Sequence, residues 1–246
     1  MARARKRHVQ QELKLGRGGK RPGAGRPAKG PRSSERHKTR EVLKRSEPVH
    51  VVIRAIDAIE TLRLRRTYQA IRKALVTTFT RESFRIVHVS IQDSHVHLLV
   101  EADNRQALSR GMQAFQISAA KHLNAALSRG KAKRRRGTVF VDRYHAVILR
   151  SPRQTRNALA YVLNNWRKHR ADRQEWSRAW RVDPYSSAVS FDGWRDLDED
   201  CADLFPPHYE PLPVWRPKTW LLNTGWRMHG LIRPTEVPSQ KSVAVE

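Results

Sequence analysis

Cysteine is nearly absent: Cys201 is the single thiol among 246 residues. One thiol excludes a disulfide framework and any cysteine-rich zinc module. Long apolar runs are missing too. No stretch approaches the roughly 20 apolar residues needed to cross a bilayer, so no membrane span is expected. The Arg-rich beginning carries no apolar segment of the secretory kind. Acidic residues are scarce, 23 against 49 Lys and Arg, which leaves a formal net charge of +26. An ordinary soluble enzyme lies far from that balance, and a polyanion is the expected partner. No P-loop GxxxxGK[ST] occurs, so unwinding of a duplex must come from elsewhere. These absences point to a cytoplasmic, nucleoid-associated protein that handles nucleic acid.

What is present is unevenly spread. Residues 1–47 carry net +12, residues 48–170 net +17 and residues 171–246 net −3. The first block holds the run GRGGKRPGAGRPAKGPR and almost no large apolar residues. It buries too little surface to offset its ordering entropy and reads as a disordered basic arm. Gly25-Arg26-Pro27 resembles the core of a minor-groove hook, but Ala24 stands where an Arg is usual. A solvated tail adding sequence-independent affinity needs only charge. The last block is rich in Trp and Pro, with Trp176, Trp180, Trp194, Trp215, Trp220 and Trp226 and an acidic run over 196–203. Short helices and loops packing through these aromatics are expected there, with one or two rings able to stack on bases.

The central block, 48–170, reads as the folded domain. Val49–Arg54 is a β-branched strand. Leu62–Phe79 places Leu64, Tyr68, Ile71, Leu75 and Phe79 at helical spacing. Phe84–Gln92 and His95–Glu101 alternate on either side of Asp93-Ser94, a turn-prone pair, and form a hairpin. A long helix follows over Arg105–Leu127. Thr138–Val141 and Tyr144–Leu149 read as strands, and Pro152 opens a helix running to about His169. The order β-α-β-β-α-β-α predicts an α+β fold with helices on a ferredoxin-like antiparallel sheet.

The hairpin carries the chemical signal. With Asp93-Ser94 at its tip, one face holds Val87, Val89, Ile91, Val96, Leu98 and Val100. The other holds His88, Ser90, Gln92, His95 and His97, and so many hydrogen-bonding groups mark it as a site rather than core. His95 and His97 are two apart on a strand, so both imidazoles project the same way and can share one metal ion. On the last helix, Leu159, Val162, Leu163 and Trp166 form an apolar stripe. Tyr161, Asn165 and Lys168 lie on the opposite side. Adding the Asn165 oxygen to the two imidazoles leaves open positions for phosphate oxygens, a set that suits Mg²⁺ or Mn²⁺ acting on a phosphodiester. Tyr161 supplies a nucleophile. A phenol ordinarily titrates near 10 and attacks poorly without a nearby cation or base. A phosphotyrosine would store the broken bond and let a strand be rejoined without ATP.

The segment HVHLLVE (95–101) resembles the His-hydrophobic-His motif of the HUH endonucleases. GTVFVDRYHA (137–146) and NALAYVLNNWRKH (157–169) resemble segments of bacterial single-tyrosine transposases, in particular the REP-associated tyrosine transposases. The resemblance covers about residues 48–195 and implies a ferredoxin-like nuclease domain. It makes His95 and His97 metal ligands, Tyr161 the nucleophile and Asn165 the third ligand. It also implies cleavage of single-stranded DNA beside hairpin-forming repeats, leaving a 5′-phosphotyrosine and a free 3′-OH. The long basic arm and the Trp-rich tail fall outside the family's common core, and the resemblance implies no role for them.

Phosphate contacts are expected from Arg143, Arg150, Arg153, Arg156, Arg167 and Lys168. The basic loop with Lys131, Lys133, Arg134, Arg135 and Arg136 is expected to grip a hairpin stem. The partner is single-stranded DNA with hairpin repeats, and the protein acts as a monomer or homodimer. The alternative is a non-catalytic basic DNA- or RNA-binding protein derived from such a transposase. A histidine-triad hydrolase also begins His-hydrophobic-His, but it needs a third His where this chain has Leu99.

Overall fold

The computed structural model describes residues 41–59, 61–141, 143–174, 177, 179–197 and 209–237. The Gly25-Arg26-Pro27 motif, Trp176, Cys201 and most of the acidic run lie outside them, as does residues 1–40 of the basic arm. Four strands form one sheet: β1 (Val49–Arg54), β2 (Phe84–Ile91), β3 (His95–Ala102) and β4 (His145–Ile148). Their spatial order is β2-β3-β1-β4, and every pairing is antiparallel. With α1 (Arg65–Val76) between β1 and β2 and α2 (Arg105–Ser128) between β3 and β4, this is the expected ferredoxin-like α+β sheet.

Both helices cover one face. Val49, Val51 and Ile53 of β1 join Val89, Ile91, Val96 and Leu98 of the hairpin beneath Ile71, Leu75, Met112 and Phe115. Helix α1 is shorter than the 62–79 span its periodicity predicts. Its start is delayed because Leu62 N donates to Asp93 O at 2.8 Å and the Arg63 guanidinium to Ile91 O at 2.9 Å. Its end is set by Thr77 and Thr78, whose hydroxyls donate back to Ala74 O and Leu75 O. Asn104 caps α2, accepting from Gln106 N and Ala107 N. Gly111 lets α2 close on β2, because a Cβ there would lie 2.1 Å from the Phe84 ring.

The hairpin pairs as expected near its tip, with Ser90 opposite His97 and His88 opposite Leu99. A bulge between Ile86 and His88 then breaks the alternation. Ile86, not Val87, takes the place opposite Val100. Val87 turns to the other face and joins Leu99, Leu149 and Leu159 in a second core. An extra residue in one strand reverses every side chain beyond it.

That second face is not left open. Val182, Phe191, Leu222, Trp226 and Ile232 of the C-terminal extension pack on it together with α3 (Pro152–Leu163). His88, Ser90 and Gln92 were expected to face a site. They are buried instead under residues 182–191: Ser187 Oγ lies 3.2 Å from His88 Nδ1, the Phe191 ring meets the His88 ring edge-on, and Gln92 donates to Ser90. Two internal ion pairs fasten the extension. Arg63 forks onto Asp183 at 2.8 and 2.9 Å. Glu101 accepts from Arg85, Lys218 N and Thr219 N.

Burial has a consequence for His88. Desolvation lowers its pKa to about 4 from an ordinary 6.5. Between those values the unfolded chain binds a proton that the folded chain excludes. Stability is therefore undiminished above pH 6.5 and falls as the pH drops toward 4, by on the order of 3 kcal/mol from this residue. His88→Phe is expected to flatten the slope of urea midpoint against pH in that window. An unchanged slope would show that His88 titrates normally.

Two other expectations need amending. Residues 138–141 form no strand, only a bridge from Phe140 to Ala55 flanked by the bonds Ile56 N to Val139 O and Val141 N to Arg54 O. The final helix does not run unbroken to His169: α3 ends at Leu163 and a one-turn α4 covers Asn165–Lys168. Asn164 leaves helical geometry and its amide donates to Arg233 O, while Arg167 N closes back on Asn164 O.

Candidate active site

Three elements meet at the tip of the hairpin. Strand β3 presents His95 and His97 on one side, with ring centroids 4.7 Å apart. Helix α3, capped by Ser151 with Pro152 at its first position, sends Tyr161 toward them. Its ring lies edge-on to His97 at 5.3 Å. The apolar stripe of Leu159, Val162, Leu163 and Trp166 is fully buried and fixes the rotation of the helix. Tyr161, on the other side, stays half-buried.

The third element is β1, and it supplies a residue that sequence reasoning missed. His50 sits over His97, rings stacked at 5.3 Å, with His50 Nε2 and His97 Nδ1 sharing a hydrogen at 3.1 Å. It also meets the Tyr161 ring at 5.8 Å. The signal was present: Val49, Val51 and Ile53 alternate into the core, so His50 had to face the other way. What was missing was the knowledge that β1 lies beside β3.

The imidazoles are held neutral. Burial lowers His50 to about 4, helped by the charge of His145. Burial, then His169 and Arg54, lowers His95 to about 4. His97 is pushed well below the ordinary value by burial and by His50. Neutral imidazole is the form that binds a metal. With the proton on His97 Nδ1 donated to His50, the Nε2 lone pair is left free. That Nε2 is buried without a hydrogen-bond partner, and so are both amide atoms of Asn165. Orphaned buried donor and acceptor atoms are uncommon, and these belong to two of the three expected metal ligands. Among the described residues, no group of three or more His, Cys, Asp or Glu side chains is placed to hold a metal. A set of two imidazoles and one amide falls outside that pattern.

Lys168 takes a more specific place than a general phosphate contact. Its Nζ donates to the Tyr161 hydroxyl at 3.3 Å and lies 4.9 Å from the ring centre. His169 packs against His95 at 5.4 Å.

The remaining basic residues divide. Arg156 binds both carboxylate oxygens of Glu236 and the carbonyl of Leu231. Arg167 is held by Pro234 O, Asp172 and Arg181 O. Both guanidinium groups brace the C-terminal extension. Arg150 pairs with Glu41 and Glu47 at the surface. Arg135 braces its loop through Asn124 and Thr138 O. Lys131, Lys133, Arg134, Arg136, Arg143 and Arg153 are exposed. Of the tryptophans, Trp166 and Trp226 are buried, Trp215 stacks on Phe79, Trp194 donates to Ala188 O, and Trp220 is 56% exposed.

Residues 45–165 match a family model described as transposase, IS200-like. Curated proteins give no match. Among solved structures, one similar chain is a REP-associated tyrosine transposase bound to a REP hairpin. It is 16% identical with a TM-score of 0.49, over 70% of this chain and 88% of that one. A protein of Deinococcus radiodurans assigned as a transposase is 16% identical at TM-score 0.34, over 47% and 85%. A bacterial tRNA(His) guanylyltransferase-like protein in complex with GTP scores the same at 16% identity, over 55% and 66%. Among the described residues, no helix is long and apolar enough to cross a membrane.

Proposed function

We propose that this protein, whose residues 45–165 match the model of the IS200-like transposases, nicks single-stranded DNA beside hairpin-forming repeats and rejoins it through a tyrosine-linked intermediate. The observation that carries this reading is the Tyr161 hydroxyl, held by Lys168 while its ring lies against His97. The partner is DNA of the kind a REP-associated transposase binds, a single strand folded into a hairpin, and the net charge of +26 suits it.

In this mechanism Tyr161 Oη attacks the scissile phosphorus. The Lys168 ammonium donates to that oxygen at 3.3 Å and holds it in place. The O–P bond forms as the bond to the 3′ oxygen breaks, leaving a 5′-phosphotyrosine and a 3′-OH. In reverse, that 3′-OH attacks the phosphotyrosine and frees the phenol. A divalent ion, Mg²⁺ or Mn²⁺, would be held by His95, His97 and Asn165 and would supply Lewis-acid polarisation of the phosphate. His50 orients the His97 ring and sets which nitrogen carries the proton. Arg153 and the exposed loop residues Lys131, Lys133, Arg134 and Arg136 contribute phosphate contacts.

The test is covalent capture. Hairpin oligonucleotides with single-stranded flanks are incubated with Mn²⁺ or Mg²⁺, and the linked peptide is mapped by mass spectrometry. The expected adduct is on Tyr161. Absence of any adduct, with binding intact, would point to a basic DNA-binding protein that has lost catalysis.

His50→Phe keeps a stacked ring but removes the nitrogen that fixes His97. It is expected to weaken Mn²⁺ binding by roughly 10- to 100-fold in calorimetry. Unchanged affinity would mean that His97 is oriented by packing alone.

A further inference from the structure

The C-terminal extension, which the family match does not reach, builds a cavity beside the tyrosine helix. It encloses about 400 Å³, within the range of small-ligand sites. Its wall carries Arg167, Arg181, Arg195 and Arg233 together with Trp180, against two carboxylates, Asp172 and Asp196. The lining is therefore net +2.

Arg167 is paired with Asp172 at 3.0 Å and Arg195 lies 3.7 Å from Asp196, and backbone carbonyls fix further guanidinium groups in place. Arg167 donates to Pro234 O and Arg181 O, and Arg181 donates to Asp196 O at 2.8 Å. Asp196 itself sits at φ 62°, in the left-handed region. Asp is among the few non-glycine residues that adopt that conformation as single residues. Arg195 and Asp196 are exposed at the rim, 57% and 72%.

Planar guanidinium groups recognise phosphate through forked hydrogen bonds. An indole offers a face for a base, and a carboxylate accepts from an exocyclic amine. We propose that this cavity binds one unpaired nucleotide, its phosphate on Arg195 and Arg233 and its base against Trp180. Its place links it to the tyrosine: Arg167 and Lys168 are consecutive on α4, about 100° apart around the helix. One lines this cavity and the other holds the Tyr161 hydroxyl. The nucleotide is either a flanking residue of a bound strand, which rests on the proposed DNA function, or a free mononucleotide.

The experiment compares the wild type with an Arg195→Ala/Arg233→Ala variant, two surface changes that leave the packing intact. Anisotropy is measured on a labelled hairpin with a six-nucleotide flank and on the same hairpin without one. Equilibrium dialysis measures binding of dCMP. For a strand nucleotide, the variant loses on the order of 10-fold affinity for the flanked hairpin and none for the flankless one. For a free nucleotide, dCMP binds the wild type and not the variant. Equal effects on both hairpins, with dCMP bound by neither protein, would overturn the proposal. Adduct formation by the wild type is scored separately. Its failure would count against the nicking reading and leave the cavity result standing.

Discussion

Replacing Tyr161 with Phe is expected to abolish covalent capture of DNA while leaving hairpin binding unchanged. The loss should be on the order of 10,000-fold or more, as for other enzymes that lose their nucleophile. The ring stays in place because its packing beside His50 and His97 uses carbon atoms. What disappears is the oxygen that Lys168 holds at 3.3 Å. Gel assays for the adduct and anisotropy for binding separate the two effects. If Tyr161→Phe still forms an adduct, another nucleophile is at work. The tyrosine meets the histidine pair of its own chain, which makes a second expectation concrete. Mixing Tyr161→Phe chains with His97→Ala chains should not restore cleavage. Restoration would mean that helix α3 completes a partner's site in a dimer.

The second large effect concerns stability. Asp183→Ala leaves the Arg63 guanidinium, 5% exposed, without the carboxylate that balances it. One bond to Ile91 O remains. Uncompensated buried charge of this kind is destabilising by about 3–5 kcal/mol. For a domain of this size that corresponds to a fall of roughly 10 °C or more in Tm, read by calorimetry. The segment after Asp183 covers His88 and Ser90 through Ser186 and Ser187, so added protease sensitivity should appear first there. The double change Arg63→Met/Asp183→Leu removes both charges and should recover most of the loss. Failure of the double variant to recover would place the cost in shape rather than in charge.

Much of this architecture was legible before any coordinates. Strand β1 falls where the β-branched run lies, and β3 and α2 match their expected spans to within a residue. Those elements obey local rules: alternation along a strand and apolar spacing along a helix. His95 and His97 had to share a side because they are two apart on a strand. Tyr161 had to leave the buried stripe because Leu159, Val162, Leu163 and Trp166 claim the other face.

What local rules could not supply were outcomes settled by distant segments. The bulge at Val87 depends on how β2 pairs, and it moved that side chain from one core to the other. His88, Ser90 and Gln92 became interior because residues 182–191 fold over them, a segment nearly 100 positions away. Arg156 and Arg167 carry charge that suits DNA, yet their partners are backbone and acids of the extension. His50 lies 47 positions from His97 and reaches it because β1 sits between β3 and β4.

The amino-acid order alone determined which side chains share a face, since that follows from the period of a strand or helix and the net charge needs no fold at all. Only the tertiary structure decided which faces meet. That choice comes from sheet order and from burial of apolar surface across the whole chain, and no stretch of neighbouring residues contains it.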